Sequence, residues 1–136
     1  MDTSPEFIKM CERVVEIQQH QIEDGDFYWW SVNNKVNLAF TAHTSQGYLV
    51  KHPEQWDSLR NRKVIRLLRQ DQLQEMTGLS VNQLCNACRD FYKIEVWGNG
   101  YPQVFTSMEQ LWLAFVMKQY NKVWNGEEWL EECTSA

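Results

Sequence analysis

Five cations crowd into ten residues of this chain: Arg60, Arg62, Lys63, Arg66 and Arg69. Side chains of this type contact phosphate groups, through point charge for Lys and a bidentate fork for Arg. The same run also reads as a solvated face of a helix. Cys85-Asn86-Ala87-Cys88 is formally a C-x-x-C motif. It falls within a helical pattern, where a thiolate gains nothing from a helix N-terminus, so redox chemistry is disfavoured. A zinc site would need a second ligand pair, and only the isolated Cys11 and Cys133 remain. Cys85 and Cys88 are expected as small buried hydrophobes, and no metal or cofactor is expected. His20 clusters with Glu23, Asp24 and Asp26, either as a cation site or as a polar helix end. His43 with Asp57 or Glu54 would make an acid–base pair, but nothing in the spacing demands it. The chain has no H-E-x-x-H, G-x-S-x-G, phosphate-binding glycine loop or dinucleotide fingerprint. An enzyme is therefore not expected.

The elements that must position these residues belong to a chain of 136 residues, enough for one domain with its own core. A composition of 43% hydrophobic and 23% charged residues excludes a disordered chain. Seven Trp supply an unusual amount of flat surface for a core or for partners. The net charge of −5 argues against wholesale polyanion binding. Residues 51–93 reverse that sign, with eight Lys/Arg against five acids, and so outline a confined basic site for an anionic partner. The longest apolar run, Leu111 to Met117, is too short to span a bilayer. The N-terminus lacks the pattern of a signal peptide, so reduced thiols and a cytoplasmic location are expected.

Ser4-Pro5 opens a helix that carries Phe7, Cys11, Val14, Val15 and Ile22 inward and stops near residues 23–26. Residues 27–40 read as a β-hairpin around Asn33-Asn34. With a two-residue loop, Val32 pairs with Lys35 and Trp29 with Leu38. One face then carries Phe27, Trp29, Val36, Leu38 and Phe40 and is expected as core. The other carries Tyr28, Trp30, Val32, Lys35 and Asn37, either as a partner surface or beneath a covering helix. Residues 41–47 read as a loop and 48–50 as a short strand. Lys63 to Arg69 reads as a short amphipathic helix, and Asp71 as the cap of a helix over 72–76. Thr77-Gly78-Leu79 turns the chain, and Ser80 with Gln83 forms a capping box for a third helix. Leu84, Ala87, Cys88 and Phe91 face inward from it. Residues 92–97 and 101–105 read as strands around Gly98-Asn99-Gly100. Thr106 opens the last helix with Glu109, burying Met108, Leu111, Trp112, Phe115, Val116 and Val123.

Residues 73–84, then Asn99-Gly100-Tyr101 leading through Val104-Phe105-Thr106 to Leu111, resemble a winged helix-turn-helix DNA-binding domain of the MerR and excisionase type. The resemblance covers roughly residues 60–115. It departs from the family at Gln74, Pro102 and Glu95. It implies that helix 80–91 enters the major groove of double-stranded DNA, with Asn82, Gln83 and Asn86 on adenine edges and Arg89 on a guanine or a phosphate. Arg60, Arg62, Lys63, Arg66, Arg69 and the wing residues Asn99 and Tyr101 would then contact phosphates. Trp97, beside the wing turn, either packs beneath the last helix or meets a groove or a second protein.

The expected fold is α+β, one domain over 1–136. An N-terminal helix and small antiparallel sheet (1–58) pack on a winged helix-turn-helix region (59–124) that is closed by a C-terminal helix, with an acidic tail over 125–136. The leading functional expectation is a small DNA-binding regulator, excisionase-like or mobile-element accessory factor. The alternative is an acidic protein-interaction module (inhibitor, adaptor or immunity-type) that uses Tyr28, Trp30, Trp124 and Trp129 on a protein partner. A homodimer fits either reading, because groove readers usually pair and the aromatic excess leaves surface for a second copy.

Overall fold

Helices and antiparallel strands divide the chain between two units, Thr3–Leu68 and Met1–Asp2 joined with Arg69–Ala136. The computed structural model describes residues 1–20, 22–31, 33–44, 47–50, 63–101 and 104–132, with the backbone alone at 41–44 and 47–50. The protein is α+β. The division falls after Leu68, not near residue 58, because a strand expected as helix joins the first unit.

In this sheet unit, Ser4 caps α1 (Pro5–Glu12), its Oγ accepting from Phe7 N–H at 3.2 Å. The single helix expected to residue 23 breaks at Arg13-Val14, and α2 (Val15–Gln18) follows. The break shifts the helical phase. Phe7, Met10, Cys11, Val14 and Ile17 are buried, whereas Val15 is 58% exposed. Strands β1 (Phe27–Trp30) and β2 (Lys35–Leu38) form the expected hairpin with a different register: Trp30 faces Lys35 and Trp29 faces Val36. The pair nearest the turn is Trp30 with Lys35, in place of the expected Val32 with Lys35. Asn34 takes φ 54°, and the Asn33 side chain accepts from Lys35 N–H at 3.1 Å. Val32 lies outside the described residues. Val64–Leu67, expected as helix, is strand β5, antiparallel to the free edge of β1 in the order β2-β1-β5. Residues 41–47, expected as loop, contain strand β3 (Thr41–Thr44), paired with β4 (Gly47–Val50) in a separate hairpin.

The slip of two residues preserves which side chains share a face, but burial reverses the expected roles. Tyr28 is 1% exposed and packs with Ile22 and Ala39, with Trp30 and Val64 against them. The opposite face is buried at Ile65 and Leu67 on β5, against which α1 packs, and opens toward β2, where Leu38 is exposed. Gln18 closes the outer edge of β5: it accepts from Arg66 N–H and donates to Arg66 C=O, both at 3.0 Å. A side chain thus occupies an edge that would otherwise recruit another strand.

In the helical unit, α3 (Gln70–Met76) and α4 (Val81–Phe91) pack on α5 (Met108–Lys118). Helix α5 is buried nearly all round, from Gln110 through Met117. Its cap is Ser107, not Thr106: Ser107 Oγ accepts from Gln110 N–H at 3.1 Å. The fully buried Gln110 amide donates to Asp2 and Thr106 Oγ1 and accepts from Thr106 N–H, which satisfies a polar group in an apolar setting. The expected acidic tail is half of a hairpin, β6 (Lys122–Trp124) with β7 (Trp129–Glu131). Asn125 Oδ1 accepts from Glu127 and Glu128 N–H at 2.8 Å, and Gly126 adopts φ 103°. This local turn chemistry folds the acidic segment back. Val123, expected on the last helix, lies in β6. Among the described residues, no helix is long and apolar enough to cross a membrane.

Candidate functional site

The helix pair at 70–91 is built by local chemistry. Arg69, not Asp71, caps α3. Asp71 sits in the first turn, and the Arg69 guanidinium beside it (3.0 Å) holds its carboxyl below the usual carboxylate range. Gly78 takes φ 70°, a left-handed conformation that a side chain would strain. Ser80 and Gln83 then form the expected capping box, Ser80 Oγ accepting from Gln83 N–H and Gln83 Oε1 from Ser80 N–H. Phe91 is buried, and Leu84, Ala87 and Cys88 are half-buried on the inner stripe. Asn82, Gln83, Asn86 and Arg89 are all exposed, with Arg89 beside Asp90 at 3.7 Å.

The cation cluster does not form a common helix face. Arg60 and Arg62 lie outside the described residues. Lys63 pairs with Glu12. Arg66 sits on β5 and pairs with the buried Asp26 at 3.2 Å, its side chain 16% exposed. Arg69 belongs to the other unit and pairs with Asp71. Of the three described cations, each is matched with a different acid, and only Arg66 lies on the strand.

The expected wing is absent as a strand pair among the described residues. Tyr92–Gly98 is a π-helix continuing α4, with Asn99 N–H bonding to Ile94 C=O and Tyr101 N–H to Val96 C=O, five residues back. The segment has no Gly or Pro before Gly98, so nothing stops the helix that Ser80 starts. Asn99 stays exposed near Glu95. Tyr101 turns inward: its hydroxyl accepts from Trp124 N–H at 2.9 Å, its ring meets Phe91 and Phe105, and burial pushes its pKa up to about 12. Within the chain it acts as a strut between α4 and β6.

Of the aromatics expected for partner capture, Tyr28 and Trp124 are buried, Trp124 completely, and Trp30 packs against the Tyr28 cluster. Trp129 is half-buried, its ring 5.1 Å from that of Trp124. The exposed apolar surface lies elsewhere. Trp97 is 80% exposed and Val104 84%, with Ile94, Tyr92 and Met108 also open. Between the π-helix and the start of α5 runs a groove of about 470 Å³, lined by Tyr92, Val96, Tyr101, Val104, Met108 and Leu111 among others. The strand reading hid this surface, because it paired residues 92–97 with 101–105. A helix run on from Phe91 instead sets Tyr92 and Val96 across the groove from Met108 and Leu111.

Cys85 is exposed, contrary to the expected burial, while burial and then the neighbouring Cys85 push the half-buried Cys88 thiol up. That direction disfavours the reactive thiolate. In the His20 cluster, Asp26 pairs with Arg66 and accepts from Glu23 N–H. Among the described residues, no group of three or more His, Cys, Asp or Glu is placed to hold a metal ion. The His43 side chain, Glu54 and Asp57 lie outside the described parts. The helical unit carries five Lys/Arg against ten Asp/Glu, a net charge of −5, whereas the sheet unit carries eight of each. No family model, curated protein or solved structure matches the chain.

Proposed function

We propose that the helical unit is a protein-interaction module that takes a basic, amphipathic segment of a partner protein in the groove between the π-helix and α5. The observation that carries this reading is an apolar groove lined by the exposed Tyr92, Val104 and Met108, with Trp97 open on the same π-helix. Large apolar side chains left open in a cluster mark interaction sites, and Trp is enriched among the residues that dominate binding energy. The surplus of acids in the same unit favours a partner of opposite charge.

A second reading, duplex DNA on α4, rests on the capped helix-turn-helix and its open row Asn82, Gln83, Asn86 and Arg89. The likeness of this pair to the MerR and excisionase type supports it. The acidity of the unit and the missing wing strands weigh against it.

Panning the protein against phage-displayed peptides tests the first reading. Basic amphipathic peptides are the expected binders. Trp97→Ala and Val104→Asp should abolish their capture while changing unfolding free energy by no more than about 0.5 kcal/mol, as exposed substitutions do. Peptide capture that survives both variants would refute the assignment. A parallel titration with random duplex DNA at two salt concentrations decides the second reading. Affinity that falls steeply with salt and weakens in Arg89→Ala would establish DNA as the ligand instead.

A further inference from the structure

The sheet unit holds its own groove, of about 740 Å³, between α1 and the β2-β1-β5 sheet. Its size lies within the range of small-molecule sites. Trp29, Val36, Ile65 and Ile8 supply apolar lining, and Lys9, Lys35 and Lys63 come to it from three different segments. The Trp29 indole is held in place, its Nε1–H donating to Asn34 Oδ1 at 3.2 Å. Glu12 also lines the groove and pairs with Lys63. Lys9 lies 4.0 Å from Glu6. Lys35 has no acid within ion-pair distance among the described residues, and it is exposed. Glu12 matches Lys63 and Glu6 matches Lys9, which leaves Lys35 as the groove's unmatched cation among the described residues. It sits in a unit whose overall charge is zero and a chain whose charge is −5.

We propose that this groove binds a small phosphorylated aromatic molecule of nucleotide size, its ring against Trp29 and its phosphate among Lys9, Lys35 and Lys63. A phosphate monoester carries close to two negative charges at neutral pH, which Lys35 meets directly while Lys9 and Lys63 share theirs with Glu6 and Glu12. Lysines are point-charge phosphate partners, and an indole held at one angle is a ready stacking surface with little ordering cost. The site is independent of the partner groove in the helical unit.

The test uses the whole chain with adenosine monophosphate as probe, followed through the Trp29 indole N–H resonance. Adenosine and inorganic phosphate serve as the two half-ligands. Adenosine monophosphate is expected to shift that resonance and to bind at least about tenfold more tightly than either half, since a charged hydrogen bond is worth that factor or more. Lys35→Glu is expected to weaken it at least about tenfold, and Lys35→Gln to weaken it less, with backbone resonances away from the groove unmoved. Absence of any shift at millimolar probe would overturn the proposal. So would equal affinity in Lys35→Glu, or inorganic phosphate binding as tightly as the nucleotide.

Discussion

The two units are held by different means. In the sheet unit, polar side chains stitch elements that are distant in sequence. Gln18 joins the end of α1 to the edge of β5, through Cys11 C=O and both backbone groups of Arg66. Arg66 reaches back to Asp26, and Asn33 and Asn37 tie the hairpin turn. In the helical unit, aromatic rings do the joining. Phe91, Tyr101, Phe105, Phe115 and Trp112 form a chain of edge and tilted contacts, and Trp124 meets Trp129 across the last hairpin. The surfaces differ in the opposite sense. The unit with the polar stitches offers a groove lined by lysines beside an indole, and the acidic unit leaves Trp97 and Val104 open. Both units bury rings and polar links, Phe7 and Tyr28 in one and the Gln110–Asp2 bond in the other, so the difference is one of emphasis.

The contrast can be broken or sharpened by substitution. Trp124→Ala should have the largest effect, about 3–5 kcal/mol, because the side chain is fully buried. Urea unfolding together with exchange of α5 amides measures it, and a loss below about 1 kcal/mol would deny rings their role there. Arg66→Ala comes next, at about 3 kcal/mol, since it leaves Asp26, 4% exposed, without its cation. If the variant unfolds at the wild-type urea concentration, the sheet unit does not depend on its polar stitches.

Tyr101→Phe should cost least, about 1 kcal/mol, by leaving Trp124 N–H without its acceptor. It also carries a pH signature. The Tyr101 pKa is raised to about 12 in the folded chain, above the ordinary value of 10.0. The unfolded chain therefore ionises first as pH rises, and this stabilisation is full below pH 10 and is lost between about 10 and 12. Unfolding curves across that interval should be steeper in pH for the wild type than for Tyr101→Phe, and identical slopes would remove Tyr101 from the core.

Local chemistry was legible from the residues alone. Ser4 before Pro5, Ser80 with Gln83, and Gly78 between two helices each act within a few residues, so the starts of α1 and α4 and the turn between α3 and α4 stand where their sequence predicts. The exposed row Asn82, Gln83, Asn86 and Arg89 was legible for the same reason. What lay beyond reach depended on partners far along the chain. Val64 to Leu67 fits a helix or a strand, and the free edge of β1 decides for the strand. The hairpin register is a choice between Val32 and Trp30 as the partner of Lys35, settled by pairing along both edges of β1. Tyr28 and Tyr101 look like surface aromatics until Ile22 and Ala39 cover one and Trp124 N–H claims the other. Short-range capping and turn preferences act through adjacent backbone and are written in the sequence. Burial and strand pairing are long-range, and only the assembled tertiary structure determined which faces closed and which remained open.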